Sequence, residues 1–228
     1  EYLENGQPDI DKIEELAKDP EVHGIICVPK YSNPTGVTYA RDVVRRLVKM
    51  ECGAPDFRII WDNAYFIHDV YSEEKLANIF ELAAKYGTED RVLEFASTSK
   101  ITFPGAGVAV MVLSDNNMVQ AKKLIGVQTI GADKLNQLRH VQFLRDAENV
   151  RHLMELHADI IRPKFDIVLE TLEAELGGLG VASWTKPNGG YFISLTVMDG
   201  CAKRIWSLMK QAGGVLTGAG ATYPYGKD

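Results

Sequence analysis

Short apolar runs alternate along the chain with stretches whose apolar residues recur at helical spacing. That alternation predicts βαβ units around a mostly parallel sheet. Asp9 to Lys18 reads as a helix, with Asp11 and Glu14 at capping-box spacing. Gly24-Ile25-Ile26-Cys27-Val28 reads as a buried strand that Pro29 ends. Val43, Val44, Leu47 and Val48 form one stripe and predict a helix from Tyr39 to Met50. Phe57 to Trp61 is a second strand, and Glu74 to Tyr86 a second crossover helix closed by Gly87. Arg91 to Phe95 and Gly107 to Leu113 follow as third and fourth strands. The link between these two holds a Pro-Gly pair and has no room for a helical crossover, so an antiparallel pair is expected.

Asp133 to Leu176 is helical almost throughout, and Pro163 within it should kink or split the segment. Beyond Gly177-Gly178 the pattern shortens. Strands at Val181 to Trp184 and Tyr191 to Leu195 flank Pro187-Asn188-Gly189-Gly190, and a helix from Gly200 to Gln211 and a strand at Val215-Leu216 follow. The expected architecture is α/β: part of a large domain over residues 1–150, then part of a smaller α+β domain over residues 151–228. No internal repeat or low-complexity tract interrupts it.

Composition narrows the functions. The chain has 228 residues, 46% of them hydrophobic, and 25 Lys plus Arg against 31 Asp plus Glu give a formal net charge of -6. A nonspecific nucleic-acid binder needs a clustered positive field, which this balance does not supply. The run Val108 to Leu113 is far shorter than the ~20 apolar residues of a membrane span. Cys27, Cys52 and Cys201 are few, odd in number and widely spaced, which suits free thiols in the cytoplasm better than a disulfide framework. The five histidines lack metal-ligand spacing: His152 and His157 are not an i, i+4 pair, and none has a Cys neighbour at zinc spacing. Gly105-Ala106-Gly107 and Gly218-Ala219-Gly220 lack a strand–helix setting and read as turns. The first residue is Glu1 and the last three are Gly226-Lys227-Asp228, so a piece of a longer protein is expected.

The chemistry collects at strand ends, where open α/β sheets bind ligands. Ser32-Asn33-Pro34-Thr35-Gly36 follows the first strand, Asp62-Asn63-Ala64-Tyr65 the second, and Ser97-Thr98-Ser99-Lys100 the third. Taken singly, each has a plainer reading: a turn, a helix cap, or a hydroxyl-rich loop with a solvated lysine. Their order and spacing, each step about one βα unit, argue for one shared crevice instead.

These clusters resemble the fold type I pyridoxal-phosphate enzymes, and within them the aspartate aminotransferase family. Asn33-Pro34-Thr35-Gly36 is similar to that family's Asn-Pro-x-Gly turn, Asp62-x-Ala64-Tyr65 to its Asp-x-Ala-Tyr segment, and Ser97-x-Ser99-Lys100 to its Ser-x-Ser-Lys signature. Pro187-x-Gly189-Gly190-Tyr191-Phe192 resembles the hairpin of its small domain. The resemblance implies pyridoxal 5'-phosphate held by Lys100 as a Schiff base. Asp62 would pair with the pyridine nitrogen, Asn33 and Tyr65 would reach the phenolic oxygen, and Ser97 and Ser99 would hold the phosphate. It also implies amino-acid and 2-oxo-acid substrates and a homodimer. The sequence around Asn33 and Lys100 is similar to a bacterial, MocR-like subgroup of aspartate aminotransferase-like proteins.

Two departures stand out. Where the family has a phosphate-forking Arg, eight residues after the Lys, this sequence has Val108. No Arg follows Val215 to Gly220, where the family's substrate-carboxylate Arg is expected. Three other readings share the motifs: the cofactor-binding sensor domain of a MocR-type regulator, a pyridoxal-phosphate lyase, and a scaffold that has lost its cofactor.

Overall fold

A computed structural model describes residues 2, 3 and 5–216. Strands β1 (Gly24–Cys27), β2 (Arg58–Asp62), β3 (Val92–Ser97) and β4 (Ala109–Leu113) form one sheet in that order. The first three run parallel, and β4 runs antiparallel to β3. The short β3–β4 link therefore has the consequence expected of it.

Helix α1 (Ile10–Leu16) leads into β1, and α2 (Arg41–Lys49) and α3 (Ile79–Ala84) supply the two crossovers. Val44, Leu47 and Val48 of α2 and Ile79, Leu82 and Ala83 of α3 bury against Ile59, Trp61 and Val92 of the sheet. Burying a Leu, Ile or Val side chain contributes ~1.5–3 kcal/mol, so this layer is the main stabilising mass of the parallel sheet.

Side-chain hydrogen bonds set the helix ends. Asp9 caps α1 by accepting from Lys12 N at 3.1 Å. The Asp11 and Glu14 carboxylates instead grip Arg46 of α2, at 2.5 and 2.6 Å, so the capping-box reading of that pair is replaced by a helix–helix clamp. α3 is shorter than its pattern, because Asn78 caps Phe80 N and Glu81 N while Glu74 is held by Asn188 Nδ2 at 2.6 Å. Gly87 ends that segment at φ 64°, as expected.

Helix α4 (Asp115–Gln128) was not legible in the pattern: its apolar residues are scattered and none is buried. It is followed by α5 (Lys134–Leu144) and the long α6 (Ala147–Leu176). Pro163 neither splits nor ends α6; Met154, Ala158 and Phe165, buried on both sides of it, hold the helix on course. The break falls instead at Arg145, whose φ is 60°, and at Asp146, which caps α6 by accepting from Asn149 N at 2.9 Å.

Beyond α6, β5 (Ala182–Trp184) pairs antiparallel with β6 (Leu195–Val197), and α7 (Ala202–Gln211) follows. β6 starts later than its apolar pattern because Tyr191 and Phe192 pack on Tyr65. Val215-Leu216 forms no strand. The Gly218–Gly220 turn lies outside the described residues.

Candidate active site

Parallel pairing of β1, β2 and β3 sends their carboxyl ends to one edge. Asp62 closes β2 opposite Phe95, and Ser97 closes β3 opposite Ala109. The turn after β1 is built by Ser32, whose buried Oγ lies 2.8 Å from Thr35 Oγ1 and donates to Val37 O at 3.0 Å. Asn33 in that turn is exposed and joined to Pro34 by a cis peptide bond.

Tyr65 is buried, its ring edge-on to His68, Tyr191 and Phe192 at centroid distances of 5.6, 6.0 and 6.3 Å. Burial, then the nearby Asp62 charge and Tyr191, push its hydroxyl pKa up. Lys100 is exposed, with Nζ 5.1 Å from the centre of the Tyr65 ring. Its carbonyl oxygen accepts from His68 Nε2 at 3.2 Å and from the Tyr191 hydroxyl at 3.3 Å. Because a carbonyl only accepts, Nε2 of His68 carries the proton, leaving Nδ1 buried and without a hydrogen-bond partner. Burial pushes the His68 pKa down to about 4, so the ring is neutral at pH 7.

Ser97 and Ser99 are half-buried, and Ser99 N donates to Ser97 Oγ at 3.4 Å. Between them, Thr98 faces away to the protein: Val108 N donates to its Oγ1 at 2.9 Å, which lies 3.0 Å from His140 Nε2. Val108 meets Thr98 through backbone N–H and C=O alike.

The Pro187–Phe192 segment locks onto this edge. A Cβ on Gly189 would lie 2.2 Å from His68 O and 2.5 Å from the Tyr31 ring, so only a glycine permits the approach. Gly190 N donates to His68 O at 2.8 Å, and Val70 N to Asn188 O at 2.8 Å. Beneath it Lys30 and Tyr31 both reach the Asp69 carboxylate, Lys30 at 2.9 Å. Gly36, at φ 72°, lies against Pro187 and the Phe192 carbonyl. The hairpin thus braces the Asn33 turn and Tyr65 together.

A separate cleft of about 430 Å³ opens on the helix-covered side of the sheet, between Lys30, Trp61, Asn63, Glu74, Asn78 and Glu94. Asp62, Tyr65, Ser97, Ser99 and Lys100 do not line it, so the larger cavity is not where the strand-end chemistry gathers. Among the described residues no group of His, Cys, Asp or Glu could hold a metal ion, and no helix is long and apolar enough to cross a membrane.

His68 and His140, two of the five histidines without metal-ligand spacing, carry no motif in the sequence. Their partners lie 32 and 42 residues away, and only the spacing of His68 three residues after Tyr65 hints at a role.

An open α/β sheet with polar clusters at three parallel strand ends, one bearing an accessible lysine, is the frame of a strand-end ligand site. The aspartate amino-transferase family model matches residues 2–228, and the chain belongs to that family. It is 48% identical to the aspartate aminotransferase of Corynebacterium glutamicum over 97% of this chain and 51% of that protein. It superimposes on the crystal structure of an aspartate transaminase from the same species with a TM-score of 0.93 at 47% identity, covering 99% of this chain and 53% of that one. A more distant match is alpha-aminoadipate aminotransferase of Thermus thermophilus, complexed with N-(5'-phosphopyridoxyl)-L-leucine: TM-score 0.70 and 25% identity over 86% of this chain and 49% of that one. The chain spans about half the length of the curated relatives it matches. These matches are to aminotransferases and do not support the MocR-like subgroup.

Proposed function

We propose that the protein is a pyridoxal-phosphate-dependent aminotransferase that moves an amino group from an L-amino acid, aspartate by its named relative, to a 2-oxo acid such as 2-oxoglutarate. The observation that carries this is the Lys100 amine over the Tyr65 ring, at the same sheet edge as Asp62, Ser97 and Ser99. That donor set suits the cofactor: a carboxylate for a ring nitrogen, a phenol and the Asn33 amide for a phenolic oxygen, hydroxyls for a phosphate, an amine for an aldehyde. The phosphopyridoxyl compound named in the Thermus complex supports it. When bound, pyridoxal phosphate supplies an electron sink for the substrate's Cα–H electrons.

The chain's own groups then have distinct tasks. Asp62 would hold a proton on the ring nitrogen. Tyr65, whose ionisation is opposed by burial and by Asp62, stays a hydroxyl at pH 7 and would donate to the phenolic oxygen. Ser97 and Ser99 would donate to the phosphate. Lys100 Nζ would hold the cofactor covalently and, once freed, would be the base placed to take and return the Cα proton. Residues 1–150 belong in this reading to the cofactor domain and 151–228 to the small domain. The resemblance adds a homodimer, and the three free thiols fit a cytoplasmic setting.

Borohydride reduction of the full-length holoprotein followed by peptide mapping should place the pyridoxyl group on Lys100. Labelling elsewhere, with Lys100 unmodified, would overturn the assignment.

A further inference from the structure

One face of α5 grips the loop that carries Lys100 at both of its ends. His140 is buried, and its Nδ1 lies 2.8 Å from the carbonyl of Asn136, one turn earlier. That carbonyl can only accept, so Nδ1 carries a proton, and in the neutral ring Nε2 is left as an acceptor. Two hydroxyls meet it there: Thr98 Oγ1 at 3.0 Å and Thr102 Oγ1 at 2.8 Å. Thr98 sits between Ser97 and Ser99, and Thr102 lies two residues past Lys100. The far end of the loop is held by the side chain of Asn136, whose Nδ2 donates to Ala106 O at 2.7 Å and Gly107 O at 3.3 Å. Thr98 closes the ring by accepting from Val108 N and donating its own N–H to Val108 O, both at 2.9 Å.

We infer that His140 and Asn136 are positioning residues for the proposed cofactor lysine: together they fix the loop from Thr98 to Val108, and through it the height of Ser97, Ser99 and Lys100 at the sheet edge. The inference deepens the aminotransferase reading and rests on it for the meaning of Lys100. Side chains on one helix face, one turn apart, hold entry and exit of the loop at once, and the Asn136 backbone selects the His140 tautomer that accepts. Position 108, where a phosphate-binding arginine is expected by resemblance, serves here as the backbone closure of that loop. A catalytic group held within about 0.5 Å needs such support, since a ~1 Å misplacement can cost about 10²-fold in rate.

The test uses the full-length protein without cofactor as well as with it. In His140→Ala and in Asn136→Ala, amide exchange in residues 98–108 should quicken about tenfold or more, and pyridoxamine phosphate should bind about tenfold more weakly. His140→Gln, which returns a polar group near the Nε2 position, should recover most of both effects. Nitrogen-15 spectra of histidine-labelled protein should show His140 protonated at Nδ1 in the neutral ring. If His140→Ala does not fold, Thr102→Val, which keeps volume and removes one hydroxyl, should still quicken exchange in the same peptides. Unchanged exchange there in the folded variants, no recovery in His140→Gln, or an Nε2-protonated neutral ring would each overturn the inference. Exchange and tautomer are read without cofactor, so failure to label Lys100 would sink the aminotransferase reading while leaving the loop clamp to its own result.

Discussion

Acidification should weaken the protein through His68 more than through an ordinary histidine. The side chain is 3% exposed, and burial pushes its pKa from 6.5 down to about 4. The charges of His157 and Lys100 act in the same direction, while hydrogen bonds with the Lys100 and Tyr65 backbone oppose it. Between those two pKa values the unfolded chain binds a proton that the folded chain refuses, so stability falls as pH drops through that window and levels off below it. The full loss is on the order of 3 kcal/mol, of which about 2 kcal/mol has gone by pH 5. His68→Gln does not titrate, yet keeps an N–H near the Lys100 carbonyl. Urea unfolding of the full-length cofactor-free protein at pH 8 and pH 5 should therefore cost the wild type about 2 kcal/mol more than the variant. Parallel pH dependence in the two proteins, or a His68 resonance titrating near its ordinary value, would refute the reasoning.

Ser97→Ala in the full-length protein should weaken pyridoxamine phosphate binding by about 10- to 150-fold, the loss of one hydrogen bond to a charged group, whereas Val108→Ala should change it little. Equilibrium titration at fixed salt reads both, and an unchanged affinity in Ser97→Ala would remove Ser97 from the phosphate site. Gly189→Ala should destabilise by ~1–3 kcal/mol or more, because its methyl would meet the rigid His68 carbonyl. A wild-type unfolding midpoint in that variant would show that the hairpin does not seat on Tyr31 and His68.

The sheet was legible because β1, β2 and β3 are short apolar runs, and the reversal at β4 because its link is too short for a helix. β1 is not the buried strand expected, however: only its Cys27 is buried, and Ile26 is exposed. The polar clusters were legible too, being contiguous in sequence. What escaped depends on partners far along the chain. Helix α4 leaves its apolar residues unburied in this structure, so no stripe marks it. Tyr191 and Phe192 look like strand residues until Tyr65, more than a hundred residues earlier, draws them away from β6. His68 and His140 look like stray histidines because what they bind is backbone and hydroxyl groups around Lys100, a pairing that periodicity does not record.

The seating of the hairpin on the strand-end edge also orders events during synthesis. The Lys100 carbonyl waits for a hydroxyl made 91 residues later, which at ribosomal speed is a delay of roughly 5–20 s. For that interval the nascent chain can complete its parallel sheet while Tyr31, Tyr65 and His68 still lack the lid that Gly189 to Phe192 will place on them. The loop that carries Lys100 thus gains its last hydrogen-bond partner at this edge only after translation has passed the long α6 helix.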